Sequence, residues 1–383
     1  MRRAAWFGIC WLAALTLAAW GRTGEAPIRP ADNARSAASI QRFLDRILPG
    51  RASGTLVAAR HGDRVYCRGF GMADRKRRIP AGCDTAYDVM SLTKQFTAAA
   101  ILKLQMMGKL SVTDPIDRYL GSVPADKGPI TVQQLLTHTS GLIEGLGDDY
   151  DRLSRRGLVT GALESKLRTP PGAAYHYSNL GYSLLAAIVE RASGMGYEEF
   201  LAQRLFAPAG MTRTGYVLPD WQRDRVAVEY DARGRSHGRP FDHPWAKDGP
   251  YWNLRGNGGL LSTARDMFRW HRALEGDKVL DRRAKRQLFK PRVLEEPGGD
   301  TYYGYGWVIL ETKYGRAGWH NGGNGWSYGE LTRLLDDRVM VFWVTNRYKA
   351  RGWNFERLGS ELTGGVVERV REPARVPQQR DSR

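Results

Sequence analysis

The strongest constraint on this chain is where its strand-forming segments lie: at the two ends, with a long helical stretch between them. Residues 55–60 and 65–70 are rich in strand formers, and His61-Gly62-Asp63 between them supplies turn punctuation, so a hairpin is predicted there. Strand character returns only after Gly256, in residues 304–311, a glycine-rich segment around His320, residues 330–335, the turn Asp336-Asp337 and residues 338–345. Between these ends a helix is predicted from Ser91 to Gly108, with an Ala/Leu/Met face. Residues 111–242 then read as helix and loop, broken by Pro170-Pro171-Gly172 and by the Gly/Arg/Pro-rich residues 233–240. Residues 34–48 and 353–370 carry apolar side chains at helical spacing. A lone hairpin is marginal in water, so the two chain ends are expected to share one sheet. The expected class is α+β: an antiparallel sheet flanked by helices, built from about 34–90 and 256–370, with a mainly helical lobe from about 91–255. The junction of the lobes is where a cleft is expected.

Hydrophobic residues make up 42% of the 383, enough to build a core, so global disorder is excluded. Lys and Arg number 58 against 40 Asp and Glu, a formal charge of +18. The excess is spread along the chain, with short clusters at residues 75–78, 282–290 and 369–383. Neither a paired Cys/His finger nor an aromatic RNA-binding signature accompanies it, so no nucleic-acid partner is expected. Contact with an anionic cell envelope is the expected use of the charge, beside a small-molecule or peptide substrate, on a monomer.

Arg2 and Arg3, an apolar run over residues 4–20 and the small, polar residues 21–26 have the order of a secretory signal, assigned here to residues 1–26. Export to the periplasm or beyond is expected. The alternative is an uncleaved membrane anchor, although the run falls a little short of the ~20 residues a spanning helix needs. Residues 371–383 read as a disordered tail. Cys10 would leave with the signal, so Cys67 and Cys83 remain, either disulfide-bonded in an oxidising compartment or as two unpaired small apolar residues. No CxxC or HExxH spacing is present, and His237 and His243 around Asp242 lack one too, so no metal and no cofactor are expected.

Three short motifs carry the chemistry. Ser91-Leu92-Thr93-Lys94 places a hydroxyl and an amine one helical turn apart, and an amine kept partly neutral by burial can take the serine proton. Tyr177-Ser178-Asn179 offers a phenol as proton carrier and an amide to hold a bound carbonyl or amide. His320-Asn321-Gly322-Gly323 lies among strands, where glycine allows close approach to a strand edge and an edge N–H can serve an oxyanion hole. His138 reads as a structural hydrogen-bonding residue. Tyr251, Trp252, Trp307, Trp319, Trp326 and Tyr328 read as core or strand fillers, with Tyr251 and Trp326 as candidates for lining an acyl pocket.

Taken together and in this order, the motifs resemble those of the serine β-lactamase and penicillin-binding protein family, in the branch of class C β-lactamases and D-alanyl-D-alanine carboxypeptidases. Residues 135–142, 177–182, 258–264 and 303–307 agree as well, so the resemblance covers about residues 34–370. It implies the β-lactamase/DD-peptidase fold and an acyl-enzyme on Ser91, with Lys94 and Tyr177 sharing the proton work in an order left open. It further implies Asn179, His320 and Gly322 at the substrate, and the N–H groups of Ser91 and Gly323 as oxyanion hole. His320 departs from the lysine found in many members, which weakens carboxylate recognition, since histidine is mostly neutral at pH 7. The expected function is an exported serine hydrolase cutting an amide or ester, either a cell-wall D-amino-acid peptide or a small ester. The alternatives are a class C-like β-lactamase and a penicillin- or envelope-binding protein of low turnover.

Overall fold

The computed structural model describes residues 30–371. The leader assigned to residues 1–26 and the tail from residue 372 lie outside the described residues. Among those described, no helix is long and apolar enough to cross a membrane.

The sheet draws on both ends of the chain. Strands β1 (Gly54–Arg60) and β2 (Asp63–Phe70) form the N-terminal hairpin. After helix α1 (Pro30–Ile47) and this hairpin come the buried helix α2 (Thr93–Met106), α3 (Asn179–Ser193), α4 (Ala264–Glu275) and α5 (Arg282–Leu288). The C-terminal strands are β3 (Val293–Leu294), β4 (Thr301–Tyr303), β5 (Val308–Thr312), β6 (Gly315–Gly323), β7 (Tyr328–Leu334) and β8 (Val339–Thr345), and α6 (Phe355–Arg371) closes the described chain. The order across the eight-stranded sheet is β2-β1-β8-β7-β6-β5-β4-β3, antiparallel at every pairing. The chain ends meet at β1–β8, where Val57 lies opposite Phe342.

Strand β8 shows why this sheet is covered on both faces. Its sequence is apolar throughout except for the last residue, and side chains alternate between faces with a period of two. Met340, Phe342 and Val344 join the core shared with α2, α3 and α4, while Val339, Val341 and Trp343 pack with Ile40, Phe43 and Leu44 of α1 and with Leu362, Val366 and Val367 of α6. Helix α2 is buried on nearly every side through Leu102, which accounts for its Ala, Leu, Ile and Phe content where an amphipathic stripe would otherwise be needed.

Two differences from the sequence expectation concern boundaries. The helix expected from Ser91 begins at Thr93, because Met90–Leu92 forms a 3₁₀ turn ahead of it. The β-strand expected over residues 304–311 begins only at Val308, because residues 304–307 form a bend between β4 and β5 in which Gly306 takes φ +71°. A Cβ at Gly306 would lie 2.7 Å from the Lys94 carbonyl oxygen, so a residue without a side chain is needed where this bend meets α2.

Cys67 and Cys83 are joined in a disulfide, which settles the alternative left open by the sequence. It ties β2 to the segment leading into the site. With a separation of 16 residues, opening this loop by a Cys67→Ser/Cys83→Ser double substitution is expected to lower unfolding free energy by about 3 kcal/mol. The shift of the urea midpoint at constant slope measures it; an unchanged midpoint would contradict that expectation.

Candidate active site

The site is assembled where the first turn of α2 meets the end of β6. Residues Ala86–Asp88 pair with Leu261–Thr263, and the Val89 N–H donates to the Leu260 carbonyl at 2.8 Å, which fixes the approach to the turn. Met90 then takes a left-handed backbone, φ +50°, although its side chain is buried. Such a conformation is uncommon without glycine and persists only where the surroundings hold it. Here the Met90 N–H donates to Asp88 Oδ1 at 2.6 Å, and the β6 glycine Gly322 fits against the same turn. A Cβ on Gly322 would come within 2.7 Å of the Ser91 nitrogen and 2.8 Å of the Met90 Cβ, so this approach of strand to turn needs glycine. The result is a partly buried Ser91 at the cleft and Lys94 beneath it.

Lys94 is completely buried. Its Nζ lies 3.1 Å from Ser91 Oγ, 2.8 Å from Asn179 Oδ1 and 2.9 Å from the Asn257 carbonyl oxygen. Two of these partners only accept, whereas the serine hydroxyl can donate. A neutral amine with two N–H groups and one lone pair therefore satisfies all three contacts when Ser91 gives its proton toward Nζ. Burial pulls the amine down to about 7, against the carboxylates of Asp149 and Glu144, which favour the charged form. The Tyr177 phenol is pushed above its ordinary value by burial, with a hydrogen bond to Ser91 acting in the opposite direction. Lys94 is thus the group of the pair whose proton-accepting form, the neutral amine, is accessible near pH 7, whereas Tyr177 stays a protonated phenol.

Tyr177 and Asn179 are placed by the segment before α3. Ser178 caps that helix, its Oγ accepting from the Gly181 N–H at 3.0 Å and donating to the Ile143 carbonyl at 2.7 Å. The Ser178 N–H donates to Nδ1 of buried His138 at 3.0 Å, and the His138 ring lies 4.3 Å from the Tyr177 ring. Burial holds His138 well below its ordinary value. It therefore acts as a neutral acceptor that positions the loop, in line with the structural reading of its sequence.

His320 is also buried. Its Nε2 is 3.1 Å from the Tyr303 hydroxyl and its Nδ1 is 2.6 Å from the Asn321 carbonyl oxygen. Burial, followed by repulsion from Lys94, lowers it to about 3. With both ring nitrogens engaged, His320 stays neutral and presents no cation to a substrate carboxylate; its side chain braces β6 and the tyrosines behind the site. Gly323 follows the glycine that touches Ser91 and lines the same cleft as Ser91 and Asn179.

Other cleft residues escaped sequence reasoning. Asp88, Asp149, Tyr150, Leu254, Asn257 and Asn324 line it with Ser91. Asn257 contributes through its backbone carbonyl, a role no side chain announces; its only sequence signal is its place in Arg255-Gly256-Asn257-Gly258-Gly259. Of the two aromatics expected at an acyl pocket, Tyr251 is not among the lining residues. Trp326 stands behind the cleft instead, stacked on His243 at 4.6 Å, which in turn stacks on Tyr150 at 4.4 Å. His237 also stacks on Trp326 at 4.8 Å, so both histidines belong to this stack, and His243 Nε2 lies 3.2 Å from Glu229. Trp307 is fully buried, and Trp252 and Tyr328 are nearly so.

Asp88 is pushed up to about 8, first by burial and then by Glu229, while the Met90 N–H and Asn324 hold it down. It is therefore mostly protonated at neutral pH. Asp88→Asn retains an acceptor for the Met90 N–H and is expected to preserve acylation of Ser91. Asp88→Ala removes the acceptor under a strained turn and is expected to slow acylation by about a hundredfold through misplacement of Ser91. Second-order labelling rates of the two variants measure this, and equal rates would show that Asp88 does not position the turn.

The profile described as "Beta-lactamase" matches residues 40–357, most of the chain. The chain is 31% identical over 318 residues to penicillin-binding protein 4* of Bacillus subtilis, covering 77% of this chain and 68% of that relative. It is 30% identical to esterase EstB of Burkholderia gladioli, covering 80% and 82%. The structure of the octameric penicillin-binding protein homologue from Pyrococcus abyssi superimposes with a TM-score of 0.72 at 26% identity, over 85% of this chain and 77% of that one. The α+β architecture is accordingly the β-lactamase and penicillin-binding protein fold, and the chain belongs to the beta-lactamase family.

Proposed function

We propose that this protein is a serine hydrolase that acts through an acyl-enzyme on Ser91 and cuts an amide or ester. The observation that carries the reading is the Lys94 amine, 3.1 Å from Ser91 Oγ and lowered to about 7 by burial. In the reaction Ser91 Oγ bonds to the substrate carbonyl carbon as its proton passes to Nζ of neutral Lys94. Asn179 accepts from Lys94 through Oδ1, which leaves its amide nitrogen to donate to a substrate carbonyl. The N–H groups of Ser91 and Gly323 receive the developing oxyanion, a contribution of about 3 kcal/mol for each donor in such sites. Tyr177 passes its phenolic proton to the leaving amine or alcohol and takes one back from the Lys94 ammonium, so collapse expels the protonated leaving group and returns Lys94 to its neutral form. Water then attacks the acyl carbon as it gives a proton to Lys94, and that proton returns to Ser91 Oγ as the acid departs.

The substrate preference follows from charge. His320 is neutral and fully engaged, and the carboxyl groups lining the cleft belong to Asp88 and Asp149. A β-lactam or peptide C-terminal carboxylate therefore finds no ammonium at the β6 position, which favours an ester or amide lacking that carboxylate. Similarity to an esterase supports the same preference, and similarity to the D-alanyl-D-alanine-carboxypeptidase/endopeptidase AmpH of Escherichia coli supports a peptide substrate as the second reading. The export expected from the leader would place either substrate in the envelope.

A panel run on wild type and Ser91→Ala tests this: a p-nitrophenyl ester, nitrocefin, and a synthetic peptide ending in D-alanyl-D-alanine. Ester hydrolysis exceeding the other two and lost with Ser91 is the expected result. Faster release of D-alanine would shift the assignment to a carboxypeptidase, and faster nitrocefin turnover to a β-lactamase.

A further inference from the structure

The basic run at residues 282–290 is not used by the active site, and the fold gives it a place. Helix α5 and the segment after it form one wall of a groove of about 680 Å³, with the end of α4 and the edges of β6 and β7 as the others. Arg316, which lines it, lies six residues before Gly322 on β6, so the groove is roughly 20 Å along the strand from the contact with Ser91.

Seven Lys and Arg side chains line the groove against a single carboxylate, Glu275, which is already engaged by Arg338 at 3.2 Å and by His271 at 3.3 Å. The side chains of Arg286, Lys290 and Arg316 have no carboxylate partner among the described residues; the Arg316 backbone N–H donates to Asp336 Oδ2 at 3.2 Å. Arg333 is the decisive one. It is only 6% exposed, its Nε is spent on His271 Nδ1 at 3.0 Å, and its guanidinium lies 5.2 Å from the centre of the Phe289 ring. Among the described residues its two terminal amino groups have no hydrogen-bond partner, and Arg333 lines the groove. Burial pulls this guanidinium down to about 10, against the Glu275 carboxylate, which favours the charged form. A buried cation without an ion pair is costly unless something else supplies the negative charge.

We propose that this groove binds a phosphate group, held between the terminal amino groups of Arg333 and the side chains of Arg286, Lys290 and Arg316. A phosphate offers several acceptor oxygens and a charge near −2, which suits a guanidinium fork together with point charges around it. The apolar floor of Leu274, Phe289 and Leu335 fits a ligand that carries an apolar part beside its phosphate. A lipid headgroup and a soluble phosphate ester share this chemistry.

Calorimetric titration of the protein with inorganic pyrophosphate, at constant ionic strength, tests the site. One saturable site is expected in wild type. Arg333→Met is expected to weaken it by about tenfold or more, the loss of charge-assisted hydrogen bonds, and so is the surface double variant Arg286→Ala/Lys290→Ala, which guards against misfolding of the first. Lys76→Ala/Arg78→Ala, with the same change of charge elsewhere, should bind as wild type, and every variant should retain covalent labelling of Ser91. Sedimentation with phosphatidylcholine vesicles, with and without phosphatidylglycerol, separates the sources: pyrophosphate-competed binding to the anionic vesicles identifies a lipid phosphate, and absence of vesicle binding identifies a soluble one. Absence of saturable pyrophosphate binding, or equal weakening by the Lys76/Arg78 variant, overturns the proposal.

Discussion

Replacing Lys94 by methionine is expected to lower kcat/KM on the preferred substrate by about 10³- to 10⁴-fold, the upper range for loss of a general base. Methionine fills similar space but has no lone pair of comparable basicity and leaves the Asn179 Oδ1 and Asn257 carbonyl acceptors without their donor. Lys94→Arg should be nearly as slow, because it restores the donors and the charge but not the base. The pH profile of wild-type acylation separates this role from a purely structural one. Burial disfavours the ammonium, so the amine sheds its proton at about 7 and the neutral, proton-accepting fraction grows as pH rises through that value. The rate should therefore climb through about pH 7 and level off above it. A rate still climbing toward the ordinary lysine value of 10.5, or a Lys94→Met variant with wild-type kcat/KM, would remove Lys94 from the role of base.

Ser91→Ala is expected to have the largest effect, on the order of a millionfold in kcat, because loss of the nucleophile disables the whole catalytic unit. The substitution removes one hydroxyl from a partly buried turn whose shape is set by Asp88, Met90 and Gly322, so the fold should be unaffected. Asn179 and the oxyanion donors remain, and substrate binding should therefore survive while turnover falls to background. Circular dichroism and a binding measurement with a non-hydrolysed analogue check the first point, and steady-state hydrolysis checks the second. Substantial turnover by the alanine variant would mean that another group attacks the substrate.

The sheet was legible because its information is local: apolar runs and turn punctuation at both ends leave few ways to bury the faces of a hairpin other than pairing β1 with β8. Ser91, Lys94, Tyr177 and Asn179 were legible as residue types at suggestive spacings, and the fold brings these four together. What could not be read was everything that acts through backbone or burial. The left-handed Met90 depends on Asp88 and Gly322, which are far apart in sequence, and the Asn257 carbonyl reaches Lys94 by loop geometry alone. The neutrality of His320 was expected from its ordinary basicity, but its engagement by Tyr303 and Asn321 depends on packing that spacing does not encode. The same holds for the basic run at residues 282–290, which is an unremarkable charge cluster until Arg333 is found buried and half-partnered across the groove from it.

The most direct test of the account is to map the covalent adduct of a fluorophosphonate probe by peptide mass spectrometry, with its rate of formation followed across pH. The account predicts one probe per chain, attached to Ser91, absent from Ser91→Ala, and forming faster as pH rises through about 7. An adduct on a different residue, or labelling that persists in Ser91→Ala, would contradict it.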